Sequence, residues 1–220
     1  MQRKHVYAVA AVLLAALTAA SAWEFYAARE AAREASERQA TAASARRDTI
    51  GGSFTLTDHT GRRVSDADFR GKFLLIFFGY TYCPDVCPTA MANVSLVMEE
   101  LGSDAAEVQP LFISVDPERD DPAELADFVG QFDPRIVGLT GTPEEIAEVA
   151  RKFRVYYRKV TAEELGGEAS DGADDYLMDH SAYVYLMGPD GGFIEVFSHT
   201  EDPAEVARAI REAIRSRPSA

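Results

Sequence analysis

The sequence predicts an α/β domain built on a mainly parallel sheet. Three observations predict it. Residues 72–79 (KFLLIFFG) and 108–115 (VQPLFISV) are continuous apolar runs, as expected of strands covered on both faces. Helical patterns opened by capping residues alternate with them. Residues 188–192 (GPDGG) form a strong turn signal between two late strand patterns. Strands that alternate with helices lie parallel, because each crossover returns the chain to the same end of the sheet.

The elements follow in order. Residues 53–58 (SFTLTD) and 62–64 flank His59-Thr60-Gly61 and predict a small hairpin. The strand at 72–79 leads to a helix over 88–101 that stops at Gly102. After the strand at 108–115, Asp121-Pro122 opens a helix reaching residue 132. A short strand at 136–139 precedes a helix begun by Thr142-Pro143-Glu144-Glu145: a cap, a proline at the first position, and acids at the positive dipole end. Strands at 182–187 and 193–197 form the closing hairpin, and residues 203–215 the last helix. This order is the thioredoxin-like arrangement with an N-terminal β-hairpin extension. Residues 161–179 (TAEELGGEASDGADDYLMD) are acidic, rich in Gly and Ala, and predict a mobile surface loop ending just before His180.

Three regions result: 1–23, 24–47 and 48–220. In the first, Arg3 and Lys4 precede an uncharged stretch from Val6 to Trp23. Two readings stand, a signal anchor with its positive charge on the cytoplasmic side, or a signal peptide cleaved after Ala20-Ser21-Ala22. Both export the rest of the chain, giving a membrane-anchored domain on the periplasmic side or a secreted periplasmic one. Residues 24–47, rich in Ala, Glu and Arg without Gly or Pro, predict a helical spacer of up to ~36 Å at 1.5 Å per residue. From Asp48 onward, 15 Lys and Arg face 32 Asp and Glu, a net charge of −17. Such a domain repels phosphate backbones and excludes nucleic acid as a partner; metal cations and proteins with basic patches are favoured.

The 220 residues hold two cysteines, Cys83 and Cys87, in GYTYCPDVCPTA. A domain of this size folds without disulfide staples, and a bridge across so short a loop constrains the unfolded chain little. The pair is therefore free for chemistry. It lies where a buried strand meets a helix start, whose free N–H groups stabilise thiolate. Four residues apart, the sulfurs can close as a disulfide or converge on one soft metal ion, Cu(I) or Zn(II). Pro84 and Pro88 stiffen the turn.

Four ordered motifs now carry a resemblance: residues 79–88 (GYTYCPDVCP), 113–120 (ISVDPERD), 138–141 (GLTG) and 179–181 (DHS). Over residues 50–215 the chain resembles the Sco/SenC proteins, assembly factors for the copper A centre of cytochrome c oxidase. The resemblance implies that Cys83, Cys87 and His180 bind one copper, Cu(I) or Cu(II). It implies a metallochaperone rather than a turnover enzyme, with two partners: a periplasmic copper donor and the oxidase subunit carrying the copper A site. Asp179 is a candidate to orient His180, since metal-bound histidines donate their second N–H to a neighbouring acceptor. Asp85 is either a charge-tuning group or a helix-start carboxylate, and Asp116 shapes the site rather than ligating. His5, His59 and His199 match no motif; Met178, Met91 and Met98 read as packing residues.

A second reading stays open: a thiol–disulfide oxidoreductase using a reversible Cys83–Cys87 disulfide. A thiol peroxidase using Arg119 and Thr89 would leave His180 and the second cysteine without a role.

Overall fold

The computed structural model describes residues 50–161, 164 and 176–217, together with Trp23, Tyr26, Arg29, Glu30 and Arg33. The chain divides into two compact units, Met1–Arg46 and Arg47–Ala220. In the first, the five described residues are helical and exposed. Among the described residues no helix is long and apolar enough to cross a membrane, and residues 1–22, which carry the predicted anchor or signal, lie outside them.

In the second unit the strands are β1 (Thr55–Asp58), β2 (Arg63–Ser65), β3 (Phe73–Gly79), β4 (Val108–Ser114), β5 (Val137–Thr140), β6 (Tyr157–Thr161), β7 (Tyr176–His180), β8 (Tyr183–Met187) and β9 (Phe193–Ser198). The helices are α1 (Val86–Leu101), α2 (Pro122–Val129), α3 (Pro143–Phe153) and α4 (Pro203–Ser216). The sheet runs β2-β1-β5-β4-β3-β8-β9. Only β3–β4 and β4–β5 pair in parallel; the outer pairings are antiparallel. The expected mainly parallel sheet is therefore a mixed one, parallel at its centre. Its N-terminal hairpin adds to the β5 edge and its C-terminal hairpin to the β3 edge, and tight turns join strands antiparallel.

All seven residues of β3 are buried. Phe77 packs on Phe112 of β4 at 6.3 Å between ring centroids, and Phe78 on Phe153 of α3 at 5.3 Å. Each such side chain contributes about 1.5–3 kcal/mol by leaving water. Helix caps fall where side chains supply them. Asp121 accepts from the N–H groups of Ala123 and Glu124, and Thr142 with Glu145 forms a reciprocal capping box. Helix α2 ends at Val129 rather than residue 132, and α1 starts two residues earlier than its pattern indicated, so that Cys87 lies inside its first turn.

The larger correction concerns the segment before His180. Residues 162–163 and 165–175 lie outside the described residues, but Tyr176–His180 is a strand rather than the end of a loop. It pairs antiparallel with Tyr157–Thr161, placing Tyr157 opposite His180 and Thr161 opposite Tyr176. This two-stranded ribbon is separate from the seven-stranded sheet. Tyr176 and Met178 turn inward and are buried, while Leu177 and Asp179 face out, the alternation that a strand imposes.

Candidate metal centre

The chain leaves the buried end of β3 at Gly79, turns through Tyr80–Pro84 and enters α1. Gly79 is required by close approach. A Cβ there would lie 2.7 Å from the Cys87 Sγ, 2.8 Å from Phe77 and 2.9 Å from Phe112, so a side chain would displace the sulfur or the rings. Cys87 is wholly buried, Cys83 lies just under the surface, and both are free thiols in the structure. The Cys87 N–H, in the first turn of α1, donates to the Cys83 Sγ at 3.4 Å. This is the helix-start stabilisation that the motif's position implied.

The two sulfurs differ in charge. The Cys83 thiol is held far below the usual thiol range, chiefly by the hydrogen bond with the Cys87 thiol. The His180 ring and the N–H groups of Asp85 and Cys87 add to this, and together they outweigh burial. Cys87, as donor in that pair and buried, is pushed far up. The resting pair therefore carries one negative charge, on the outer sulfur.

His180 ends β7 and turns its Nε2 toward the cysteines, 3.5 Å from the Cys87 Sγ. Its Nδ1 lies 3.2 Å from the Ser181 carbonyl oxygen. A carbonyl only accepts, so Nδ1 carries a proton, and Nε2 is the ring nitrogen that faces the sulfurs. The orienting partner is thus the Ser181 carbonyl and not Asp179, whose carboxylate is half exposed and lies 3.8 Å from Arg158. Phe77 and Tyr80 pack on the imidazole in T-shaped pairs, with centroids at 6.0 and 5.8 Å.

The ligand atoms of Cys83, Cys87 and His180 all lie within 4.8 Å of one another. Bonds of ~2.0–2.3 Å, the range for imidazole and thiolate on zinc, place ligand atoms ~3.5–4 Å apart. The group therefore fits a soft cation with little closure. Two sulfurs and an imidazole with no carboxylate select copper or zinc over hard ions. Beside them runs a groove of about 400 Å3, bounded by Pro84 and Val86 on one side and by Leu177 and Met178 on the other.

The remaining sequence candidates fall elsewhere. The His59 ring accepts from the Gly138 N–H at 3.1 Å, and the His199 ring lies 3.1 Å from the Ala182 carbonyl; both serve the backbone. His5 lies outside the described residues. Met91, Met98 and Met178 are all buried in the core. Asp85 precedes α1 at its cap position but makes no cap bond with its side chain. Asp116 is buried and bonded to Arg119 and Tyr176. Arg119 is likewise committed to Asp116 and Tyr176. Sequence reasoning missed Asp120, which is fully buried. It accepts from the Thr81 N–H at 3.1 Å, the Thr81 hydroxyl at 2.6 Å and the Ser114 hydroxyl at 2.6 Å, pinning the cysteine turn to β4. The available signal was a charged residue one position beyond the Arg119 of a buried strand's exit loop.

A thioredoxin-like domain with two cysteines at a helix start and a strand-end histidine converging on them defines a soft-metal-binding protein. The chain belongs to the SCO1/SenC family, whose model matches residues 42–215. It is 42% identical over 212 residues to Protein sco1 of Schizosaccharomyces pombe, covering 95% of this chain and 78% of that protein. It is 44% identical over 168 residues to the mitochondrial SCO1 homolog of Homo sapiens, covering 76% and 53% respectively. Among solved structures, copper-bound ScoI of Bradyrhizobium japonicum is 46% identical with a TM-score of 0.66, over 74% of this chain and 99% of that one. Copper-bound yeast Sco1 is 35% identical with a TM-score of 0.68, over 78% and 92%.

Proposed function

We propose that the protein is a copper metallochaperone for assembly of the copper A centre of cytochrome c oxidase, carrying one copper on Cys83, Cys87 and His180. The observation that carries this reading is the convergence of the three ligand atoms within 4.8 Å at the end of the central sheet. Membership of the family and its copper-bound relatives support it. Two thiolates and one imidazole hold Cu(I) in a trigonal set, and a further ligand accommodates Cu(II). The residues of this chain act as follows. Cys83 offers a ready thiolate; Cys87 loses its proton on binding, so affinity rises with pH; His180 supplies the third ligand from a separate element. The acidic domain suits a basic docking patch on the oxidase subunit carrying the copper A site. A periplasmic donor supplies the metal, and the N-terminal segment tethers the domain on the non-cytoplasmic side of the membrane.

The test is Cu(I) titration of the reduced protein against a competing chelator. One copper is expected, with a marked loss of affinity in His180→Ala and loss of tight binding in Cys87→Ser. Equal binding in wild type and His180→Ala would remove His180 from the site; no tight binding at all would remove the function.

The difference between the two sulfurs favours a second activity at the same residues. The Cys83 thiolate attacks a partner disulfide and expels one partner thiolate. Cys87 then gives up its proton and attacks the Cys83 sulfur, freeing the second partner thiolate. The pair ends as a disulfide and the partner as a dithiol. His180→Ala separates the readings, because it should retain thiol exchange while losing copper.

A further inference from the structure

The histidine side of the site has no strand pairing with the main sheet among the described residues, yet its ring must be placed to within a few tenths of an ångström for ligation. The ribbon's inner face, Val160, Tyr176 and Met178, is held by apolar burial, which is non-directional. Besides a hydrogen bond between Tyr80 and the Met178 backbone, directional contacts come from the loop after β4. Arg119, whose side chain is only 9% exposed, donates from Nε to Asp116 at 2.6 Å and from Nη1 to the Tyr176 carbonyl at 3.0 Å. Its guanidinium lies 3.6 Å from the centroid of the Tyr176 ring and 4.9 Å from that of Tyr82, the residue before Cys83. The Tyr176 hydroxyl closes the group by donating to Asp116 at 2.7 Å. One residue on, Asp120 holds Thr81. The same short loop therefore grips the cysteine turn and the histidine ribbon at once.

We infer that Arg119, with Asp116 and Tyr176, is a latch that positions His180: it fixes one end of β7 to the cysteine turn, so that the other end delivers the imidazole to the sulfurs. Tyr176 stands four residues before His180, ~13 Å along the strand, and β7 acts as the lever between them. The planar fork of arginine is suited to this, since it bonds a carboxylate and a carbonyl while stacking on two rings; a lysine supplies a point charge alone. The inference rests on the copper site proposed above. It assigns Arg119 no contact with the metal.

The experiment compares Arg119→Ala, Arg119→Lys and Tyr176→Phe in the full chain, each with and without His180→Ala. Cu(I) affinity is read by chelator competition and the nitrogen ligand by electron paramagnetic resonance of the Cu(II) form. Arg119→Ala is expected to lose 10–100-fold in affinity, the range for groups that orient a metal ligand. Its nitrogen coupling should weaken, Arg119→Lys should recover part of both, and no further affinity should be lost when His180→Ala is already present. Wild-type affinity and spectrum in Arg119→Ala, or an equal loss in the His180→Ala background, would overturn the latch. If Arg119→Ala does not fold, Tyr176→Phe decides: a several-fold loss that vanishes in the His180→Ala background supports it, and unchanged affinity overturns it. The metal-free protein separates this idea from the copper reading. There, Arg119→Ala should speed amide exchange across the ribbon and broaden the His180 ring resonances while β3 amides hold. If wild type binds no copper but the ribbon loosens as stated, the copper reading fails and the latch stands; an unmoved ribbon overturns the latch.

Discussion

The two sides of this site are built in opposite ways. Cys87 is wholly buried behind β3, the central strand of a seven-stranded sheet, and its sulfur fills the space left by Gly79. His180 ends a two-stranded ribbon outside that sheet, partly exposed, and touches Cys87 across 93 positions of chain. The cysteine side is as stable as the core, because moving it means opening the core. The histidine side is held from outside the sheet, by the buried inner face of the ribbon and by Arg119 and Asp116. Two ligands are thus set by the core and the third by the packing of a separate ribbon.

The largest expected effect follows from this contrast. Phe77→Ala removes a fully buried ring from β3 and should cost about 3–5 kcal/mol, whereas His180→Ala should change stability by less than ~1 kcal/mol, as befits a partly exposed side chain. Urea unfolding of both variants measures the difference, and comparable losses would erase the distinction between the two sides.

Acid should weaken the sheet at β1. Burial opposes ionisation of Asp58 in β1, but hydrogen bonds from Thr60 and Arg62 prevail and hold its carboxyl at about 2, against 3.8 ordinarily. A depressed carboxylate stabilises the fold fully above pH 3.8, and this is lost as pH falls toward about 2. The contribution is on the order of 2 kcal/mol. Asp58→Asn should flatten the fall in stability across that window; a curve that keeps the wild-type slope would place the acid-sensitive group elsewhere.

Gly79→Ala should destabilise by about 1–3 kcal/mol through overpacking and weaken copper binding as well, since the added methyl meets the Cys87 sulfur. Weakened stability with unchanged affinity would show that the rings, not the sulfur, give way. Smallest of all should be Lys159→Ala. Its ion pair with Glu118 spans the ribbon and the β4 exit loop at 2.5 Å, but both side chains are exposed, and such pairs contribute about 0–1 kcal/mol. A loss of copper affinity there matching that of Arg119→Ala would mean that any contact between ribbon and loop serves as a latch.

Much of this was legible in the sequence. The apolar runs of β3 and β4, the turn at 188–192, the cap at Thr142 and the spacing of the cysteines are local signals, and they fold as they read. The ribbon was not legible. Residues 157–161 bury only Val160, and the alternation of Tyr176–His180 is too short to stand out beside an acidic, Gly-rich stretch. Its strands exist because each supplies the other's backbone partners, which neither sequence reveals alone. Arg119 was visible only as part of a motif, since its carbonyl acceptor, on Tyr176, lies 57 residues away.

By itself the sequence determined the chemistry available: an acidic α/β domain, two cysteines at a helix start, and a histidine near the end of an acidic stretch. The tertiary structure decided which sulfur bears the charge, which ring nitrogen faces the cysteine pair, and that the Ser181 carbonyl rather than Asp179 is the partner of Nδ1. The physical reason is that protonation and aim depend on distances of 3–4 Å between groups up to 93 residues apart, and only the packed chain sets such distances.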